Sequence, residues 1–329
     1  RRMESKQSAT QAISPATPQP APQCCWVCGS QRLSLWKERN AAGQLRPEDF
    51  QITDKRYGVT LQLHRCEDCG FIQSTESDVD ELVALYEQLE DDSYTETEEA
   101  RRLQMGWLLQ QLQRRYPAAR SLLDIGAANG LLVGEAQALG FSAVGVEPSA
   151  SLASQAQAWG LQVHQGTLES AKLPPGQYDV VSLVDVIEHV KQPVGLLEQA
   201  AQRLAPGGVM MVVTPDIASL AAKLLRHRWW HLRIAHVGYF SPSTMEKAAS
   251  RAGLVVEDRC QAQWIFPIGY LAQRLESYLP MLGPMNRLVA KNPLGRSAFN
   301  VQVPLNLFDS FVVFLRRRDE GAQTASRGQ

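Results

Sequence analysis

Four of the six cysteines in this 329-residue chain stand in two copies of one short pattern, Cys-x-x-Cys-Gly. Cys25 and Cys28 form the first copy, and Cys66 and Cys69 form the second. Thiolates at this spacing can bind one metal ion from a tight turn, and two such turns supply the four sulfur ligands of a structural zinc site. The pattern predicts bound Zn²⁺ in a small zinc-ribbon-like module over residues 23–75, with free or redox-active cysteines as the alternative.

A second chemical pattern is a turn of small residues between Asp124 and Gly130, which follows a short apolar run and precedes a helical pattern. A strand, a glycine turn and a helix N-terminus together form a corner where a nucleotide can lie close to the backbone. The dinucleotide pattern Gly-x-Gly-x-x-Gly is met here at Gly126 alone. The pattern Asp-x-Gly-x-Gly-x-Gly fits better, with Ala128 in place of the middle glycine. Glu147 ends the next predicted strand, where a carboxylate can accept hydrogen bonds from both hydroxyls of a ribose.

Titratable groups follow the apolar run 180–184, which is typical of a central parallel strand. Asp185 and His189 come directly after it, at the edge of the sheet where open α/β proteins bind ligands. His189 titrates near neutral pH and could take a proton from an acceptor; the alternative is that it only shapes the pocket. His236, in the basic and aromatic stretch 226–240, is the second candidate, with a headgroup contact, an interface or plain packing as alternatives.

These motifs, together with Leu-x-Pro-Gly-Gly at 204–208 and His-x-x-Tyr-Phe-Ser-Pro at 236–242, resemble those of class I S-adenosylmethionine (SAM) dependent methyltransferases. The resemblance implies a Rossmann-like α/β fold: a seven-stranded, mostly parallel sheet with helices on both faces and the last strand reversed. It implies that SAM lies across the carboxyl ends of the first four strands. The residues expected to line the cofactor are Asp124, Gly126, Ala128, Gly130, Glu147, Thr167, Leu168 and Asp185. The family often carries an acid where Thr167 stands, so the backbone at Leu168 is the alternative adenine contact.

Proteins that resemble this chain and have an N-terminal cysteine module include sugar and natural-product methyltransferases. The function expected from the resemblance is therefore methyl transfer to oxygen or carbon of a small molecule or glycoconjugate. A catalytically inactive, methyltransferase-like scaffold with a zinc ribbon is the alternative. A nicotinamide-dependent reductase is disfavoured by the failed dinucleotide spacing.

Composition limits the other classes. The net charge of −1 gives no general reason to expect nucleic acid as a partner. The chain has no run of eighteen apolar residues, so we predict no membrane-spanning helix. Four of the six cysteines stand in Cys-x-x-Cys pairs, which favours metal binding over disulfides and fits a cytoplasmic protein. We divide the chain into a disordered tail (1–22), the zinc module (23–75), a helical linker or lid (76–118), the methyltransferase domain (119–318) and a flexible tail (319–329). An insertion at 262–304 could cap the substrate, form a dimer contact or touch a membrane surface.

Overall fold

The computed structural model describes residues 24–43, 45–50, 56–75, 79, 82–88 and 98–318. The two predicted tails, 1–22 and 319–329, lie outside the described residues. Thirteen strands are formed in this part of the chain. They are β1 (Leu33–Lys37), β2 (Leu63–Cys66), β3 (Ile72–Ser74), β4 (Ser121–Ile125), β5 (Ser142–Glu147), β6 (Val163–Gln165), β7 (Tyr178–Val184), β8 (Leu204–Pro215), β9 (Gly238–Tyr239), β10 (Leu254–Gln261), β11 (Trp264–Pro267), β12 (Gln302–Leu305) and β13 (Ser310–Arg317).

Ten α-helices accompany these strands in the described residues. They are α1 (Leu82–Glu87), α2 (Glu98–Arg115), α3 (Leu131–Ala138), α4 (Ala150–Ala158), α5 (Pro193–Gln202), α6 (Leu220–Leu225), α7 (Pro242–Arg251), α8 (Ile268–Tyr278), α9 (Gly283–Lys291) and α10 (Pro293–Phe299). Local signals fix several boundaries. For example, α7 begins at a capping box of Ser241 and Thr244, with a proline in its first turn.

The main sheet has seven strands in the order β10-β13-β8-β7-β4-β5-β6. Strands β4 to β8 pair in parallel, whereas β13 runs antiparallel to both β8 and β10. The central strands β7 and β8 are almost wholly buried because apolar clusters cover both faces of the sheet. The predicted α/β fold with a reversed last strand is confirmed.

The cysteine-containing residues form a second, four-stranded sheet in the order β1-β2-β3-β9. The first three strands precede α1, but β9 comes from the segment just after His236. The alternating apolar residues of 58–65 indicate a strand, but β2 begins only at Leu63. Gly58 instead adopts a φ of +77° and donates its N–H to the carbonyl of Leu232 at 2.8 Å. A Cβ there would lie 2.2 Å from the carbonyl oxygen of His227, so this stretch turns toward the second half of the chain.

Between β10 and β13 the chain forms a separate layer, which we call the cap, over residues 264–305. Strands β11 and β12 form a two-stranded antiparallel sheet, and the helices α8, α9 and α10 between them pack on one another. Strand β11 also contacts α2, which precedes the main sheet. The cap therefore overhangs the edge of the sheet at which β4, β5 and β7 end. No described helix has the length and apolar character needed to cross a bilayer.

Candidate active site and metal centre

A cavity of about 910 Å³ opens where the parallel strands end and extends beneath the cap. Its volume lies near the upper end of the range of about 300–1,000 Å³ typical of sites for small molecules. The glycine turn after β4 and the polar residues after β7 line one part, and cap residues line the other. The cavity thus combines the predicted cofactor site with space beneath the cap.

The turn after β4 has the strained backbone that its glycines indicate. Gly126 adopts φ +74° and its N–H donates to the carbonyl of Val146 at 2.9 Å. A Cβ on Gly126 would lie 2.5 Å from Cγ2 of Val186, so the close approach requires glycine. Gly130 has φ +82°, and Ala128 holds φ +48° although it carries a side chain. Gly126 and Ala128 line the cavity, whereas Gly130 faces a smaller neighbouring one.

Glu147 stands at the end of β5, as predicted, but its carboxylate is fully buried. It accepts hydrogen bonds from the N–H groups of Ala128 and Ser149, both at 2.8 Å. Burial raises the pKa of Glu147 to about 7, although these two bonds and a hydrogen bond from Tyr86 on α1 each lower it. Its neighbour Pro148 lines the cavity, but the carboxylate lies beneath Tyr86. A ribose would reach Glu147 only if Tyr86 moved aside.

Two polar side chains of the turn face the cavity from buried positions. Asp124 accepts a hydrogen bond from the hydroxyl of Ser182 at 2.7 Å, and burial raises its pKa to about 7. Asn129 is fully buried, and neither atom of its amide has a hydrogen-bond partner in the described structure. Both line the cavity. Our sequence interpretation passed over Asn129, although a polar residue inside a glycine turn is a usable signal for a ligand contact.

The remaining predicted cofactor residues also reach the cavity. Thr167 and Leu168, after β6, line it together with Asp185 after β7. Thr167 hydrogen-bonds locally with Ser170, and Asp185 holds φ +54°. Burial raises the pKa of Asp185 to about 6. Positive φ values at Ala128 and Asp185 fit the tendency of backbone strain to gather at functional sites.

The two predicted histidines lie together. The rings of His189 and His236 are 4.8 Å apart at 85°, edge to face. Nδ1 of His189 lies 2.8 Å from the carbonyl oxygen of Ala235. Since a carbonyl can only accept, Nδ1 carries the proton and Nε2 is the basic atom. Burial lowers the pKa of His189 to about 4 and that of His236 well below its usual value, so both rings are neutral at pH 7.

Glu188 completes this cluster. Burial, together with the nearby charge of Asp185, raises the pKa of Glu188 well above its usual value, which favours its protonated form. One carboxyl oxygen accepts from the hydroxyl of Thr214 at 3.0 Å, while Oε1 and Nδ1 of His236 have no partner among the described residues. A carboxyl oxygen of Glu188 and ring nitrogens of His189 and His236 lie within 4.8 Å of one another. This donor set could hold a divalent cation.

The wall beneath the cap is aromatic and cationic. The guanidinium of Arg274 lies over the rings of Tyr57 and Tyr270, 4.6 Å from each centroid. Tyr57 in turn stacks on Tyr278 at 6.3 Å and 8°. The hydroxyl of Tyr57 and Nε1 of Trp264 are buried without a hydrogen-bond partner in the described residues. All five residues line the cavity, and sequence patterns did not identify them because they meet only through tertiary contacts.

The four predicted cysteine ligands converge in the N-terminal sheet. The Sγ atoms of Cys25 and Cys69 lie 3.5 Å apart, as do those of Cys28 and Cys66. All four Sγ atoms lie within 4.8 Å of one another. Tetrahedral zinc with Zn–S bonds of about 2.3 Å requires sulfur atoms roughly 3.8 Å apart, so the donor set fits this ion. Cys24 is exposed and stands outside the cluster.

Comparison with known proteins identifies the larger domain. Residues 97–258, just under half of the chain, match a family model described as a methyltransferase domain. The ubiquinone biosynthesis O-methyltransferase of Chelativorans sp. (strain BNC1) is 30% identical over 152 residues, which cover 42% of this chain and 60% of that protein. The protein of the same name from Caulobacter sp. (strain K31) is 37% identical over 100 residues, 28% of this chain and 40% of that protein.

Among solved structures, a SAM-dependent methyltransferase from Thermotoga maritima, described as a possible histamine N-methyltransferase, is 20% identical. It has a TM-score of 0.42 and covers 69% of this chain and 93% of its own. The match to this chain spans 60% or less of the two curated relatives given above. Residues 97–258 match the methyltransferase domain model, and the seven-stranded mixed sheet matches the Rossmann-like methyltransferase fold. The resemblance drawn from the sequence motifs is therefore confirmed.

Proposed function

We propose that this chain transfers a methyl group from SAM to an oxygen or carbon atom of a small molecule or glycoconjugate. One observation carries the proposal: a single cavity joins the glycine turn after β4 to two neutral histidines and an aromatic cap. When bound, SAM supplies a methyl group on a positively charged sulfur, which needs no further activation. The main task of the chain is then to align the acceptor with that group.

On the cofactor side, we assign backbone contacts to Gly126 and Ala128, and a ribose contact to Glu147 once Tyr86 moves aside. Gly130, which faces the smaller cavity, gives the turn its left-handed backbone and the room that the cofactor needs. Asp124 holds the turn against β7 through Ser182. Three further residues are proposed to line the cofactor: Thr167, Leu168 and Asp185. The unpartnered amide of the buried Asn129 adds a polar contact at the same turn.

On the acceptor side, we assign proton removal to Nε2 of His189. Its Nδ1 is tied to the carbonyl of Ala235, so the ring is held in the tautomer that a base requires. His236, whose ring centroid lies 4.8 Å from that of His189, and the carboxyl of Glu188 form the polar wall around this base. The cap excludes water and offers aromatic faces to the acceptor. The O-methyltransferase names of the relatives support oxygen as the methylated atom.

The first test is calorimetric titration of the metal-loaded protein with SAM, its demethylated product and NADH. Micromolar binding of the first two and none of NADH is expected, whereas no binding of either SAM ligand would favour the inactive scaffold. Glu147→Ala should bind SAM more weakly than the parent, and equal binding would remove the ribose assignment. Incubation with radiolabelled SAM should label small-molecule extracts, and labelling of RNA alone would contradict the acceptor class.

The assignment of His189 has its own test, once an acceptor is found. His189→Gln should lower kcat while SAM affinity stays unchanged. Because burial lowers the pKa of His189 to about 4, kcat/KM should fall on the acid side only near pH 4 rather than near 6.5. A fall centred near pH 6.5 would contradict the buried, neutral ring.

We also propose that Cys25, Cys28, Cys66 and Cys69 hold a structural Zn²⁺ ion in a cytoplasmic protein. Burial raises the pKa of Cys25 to about 11, so a cation is needed to keep this ligand ionised. Elemental analysis should give one zinc per chain, and Cys66→Ser should lower both zinc content and thermal stability. Cys24→Ser is the matched control, since Cys24 lies next to Cys25 but outside the cluster. Full zinc content in Cys66→Ser would contradict the site.

A further inference from the structure

Exposed apolar side chains are concentrated in one region of the described structure. Twelve of the sixteen exposed large apolar residues lie within the two segments 220–225 and 268–308. Among them, Leu224 is 72% exposed, Met281 79% and Leu294 82%. Single exposed apolar residues are normal on any surface, but a concentration of this kind marks an interaction site.

Helix α9 arranges part of this region as one stripe. Met281, Met285 and Leu288 follow one another at spacings of four and three residues, so they share one side of the α9 region. Their exposed fractions are 79%, 55% and 72%. Arg287 and Lys291 lie four residues apart on the same helix and flank the stripe. An apolar stripe with basic residues beside it is typical of helices that lie in a membrane interface.

The end of segment 220–228 contacts the end of α8 in segment 268–308. The hydroxyl of Tyr278, at the end of α8, donates to the carbonyl of Arg228 at 2.8 Å. The guanidinium of Arg228 also lies 5.3 Å from the centroid of the Tyr278 ring. These contacts place Arg228, three residues after the end of α6, against the end of α8, and Leu220 and Leu224 on α6 are also exposed. We call the combined surface of residues 220–228 and 268–308 the cap face.

The charge of the cap face differs from that of the whole chain. The whole chain has a net charge of −1, but the cap face holds seven lysines and arginines and a single acid, Glu276. Six of the seven are exposed, and the seventh, Arg274, lines the cavity. Glu276 lies 3.8 Å from Arg287, so it offsets one of the seven. A second copy of this chain placed on the same surface would oppose like charges. The fitting partner is therefore both apolar and anionic.

We propose that the cap face docks on the surface of an anionic lipid membrane. The apolar stripe enters the interfacial layer while the basic residues contact acidic headgroups. Leu275 and Leu307 are 49% and 38% exposed and also line the cavity. Docking would thus hold the cap end of the cavity at the lipid surface; this last consequence, unlike the docking itself, rests on the proposed function.

The test is co-sedimentation of the metal-loaded chain with phosphatidylcholine vesicles, with and without phosphatidylglycerol. Binding is expected only to the anionic vesicles and should weaken as salt is added. Replacing both flanking cations, R287Q with K291Q, should weaken binding roughly 30-fold, because each basic group near such a surface contributes about fivefold. The double substitution M285D with L288D should abolish binding altogether. Leu139→Asp is the matched control, since Leu139 is 45% exposed but lies outside the cap face.

Several outcomes would overturn the proposal. These are no binding to anionic vesicles, equal binding by the parent and M285D with L288D, or equal loss in Leu139→Asp. A dimer in light scattering that M285D with L288D dissociates, without vesicle binding, would assign the cap face to a second copy instead. SAM titration of each variant keeps the two hypotheses separate, because the substituted side chains are exposed and SAM affinity should be unchanged.

Discussion

Gly126→Ala tests whether the turn after β4 requires glycine for two separate reasons. The first is conformational: φ at Gly126 is +74°, where a residue with a Cβ costs about 1–2 kcal/mol. The second is steric: the new Cβ would lie 2.5 Å from Cγ2 of Val186, and forced overpacking costs about 1–3 kcal/mol. Together these give a loss of about 2–5 kcal/mol in the free energy of unfolding.

Denaturant unfolding of metal-loaded protein measures this loss, and Gly106→Ala is the control. Gly106 lies within α2 with no atom near its Cβ position, so alanine there should stabilise by about 0.5–1 kcal/mol. Val186→Ala added to Gly126→Ala should recover the steric part and leave the conformational part. Gly126→Ala should also weaken SAM binding, because the turn lines the cavity. The reasoning is refuted if Gly126→Ala is as stable as Gly106→Ala, or if Val186→Ala recovers nothing.

Three further predictions concern the cofactor side. Ala128→Gly should raise the free energy of unfolding by about 0.5–1 kcal/mol in denaturant titrations. The reason is that the strain of alanine at φ +48° is larger than the extra backbone entropy that glycine loses on folding. An unchanged midpoint would contradict this. Burial raises the pKa of Asp124 from 3.8 to about 7, so its protonation stabilises the fold at low pH and this stability is lost as the pH rises through 7. Asp124→Asn should therefore match the parent near pH 4 and exceed it increasingly toward pH 7 in thermal unfolding, and a pH-independent difference would be inconsistent with a buried acid. Tyr86→Phe removes a donor to Glu147 and should tighten SAM binding about fivefold by calorimetry, since one net hydrogen bond is released; weaker binding would mean that Tyr86 contacts the cofactor.

Features encoded over short stretches were predictable. The apolar run 180–184 and the glycine turn each depend on neighbouring residues, and they predicted strand β7 and the corner after β4. The Leu-x-Pro-Gly-Gly motif at 204–208 lies within β8, where the pairing with β7 is irregular. The resemblance then supplied the seven-stranded, mostly parallel sheet with its reversed last strand, β13. The Cys-x-x-Cys-Gly spacing likewise identified the four thiols that the structure brings together.

Features that depend on distant contacts were not predictable in the same way. The stretch after Gly58 alternates like a strand, yet it turns toward Leu232 because the two backbones meet there. Tyr57 and Trp264 are far apart in sequence but line one cavity. Tyr86 covers Glu147 from a helix whose pattern gave no sign of that contact. Periodicity reports which face of an element is buried, not which other element buries it.

Gln73 on β3 links the turn that carries Cys25 to strand β9, next to His236. Its side chain accepts from the N–H of Trp26 at 2.8 Å and donates to the carbonyl of Cys24 at 3.0 Å, on either side of Cys25. Its backbone pairs with Gly238, two residues after His236. If metal loading tightens acceptor binding through this contact, thermodynamic reciprocity requires the acceptor to tighten metal binding by the same factor. Equilibrium competition with a chelator would then report, from a distance, whether the cavity is filled.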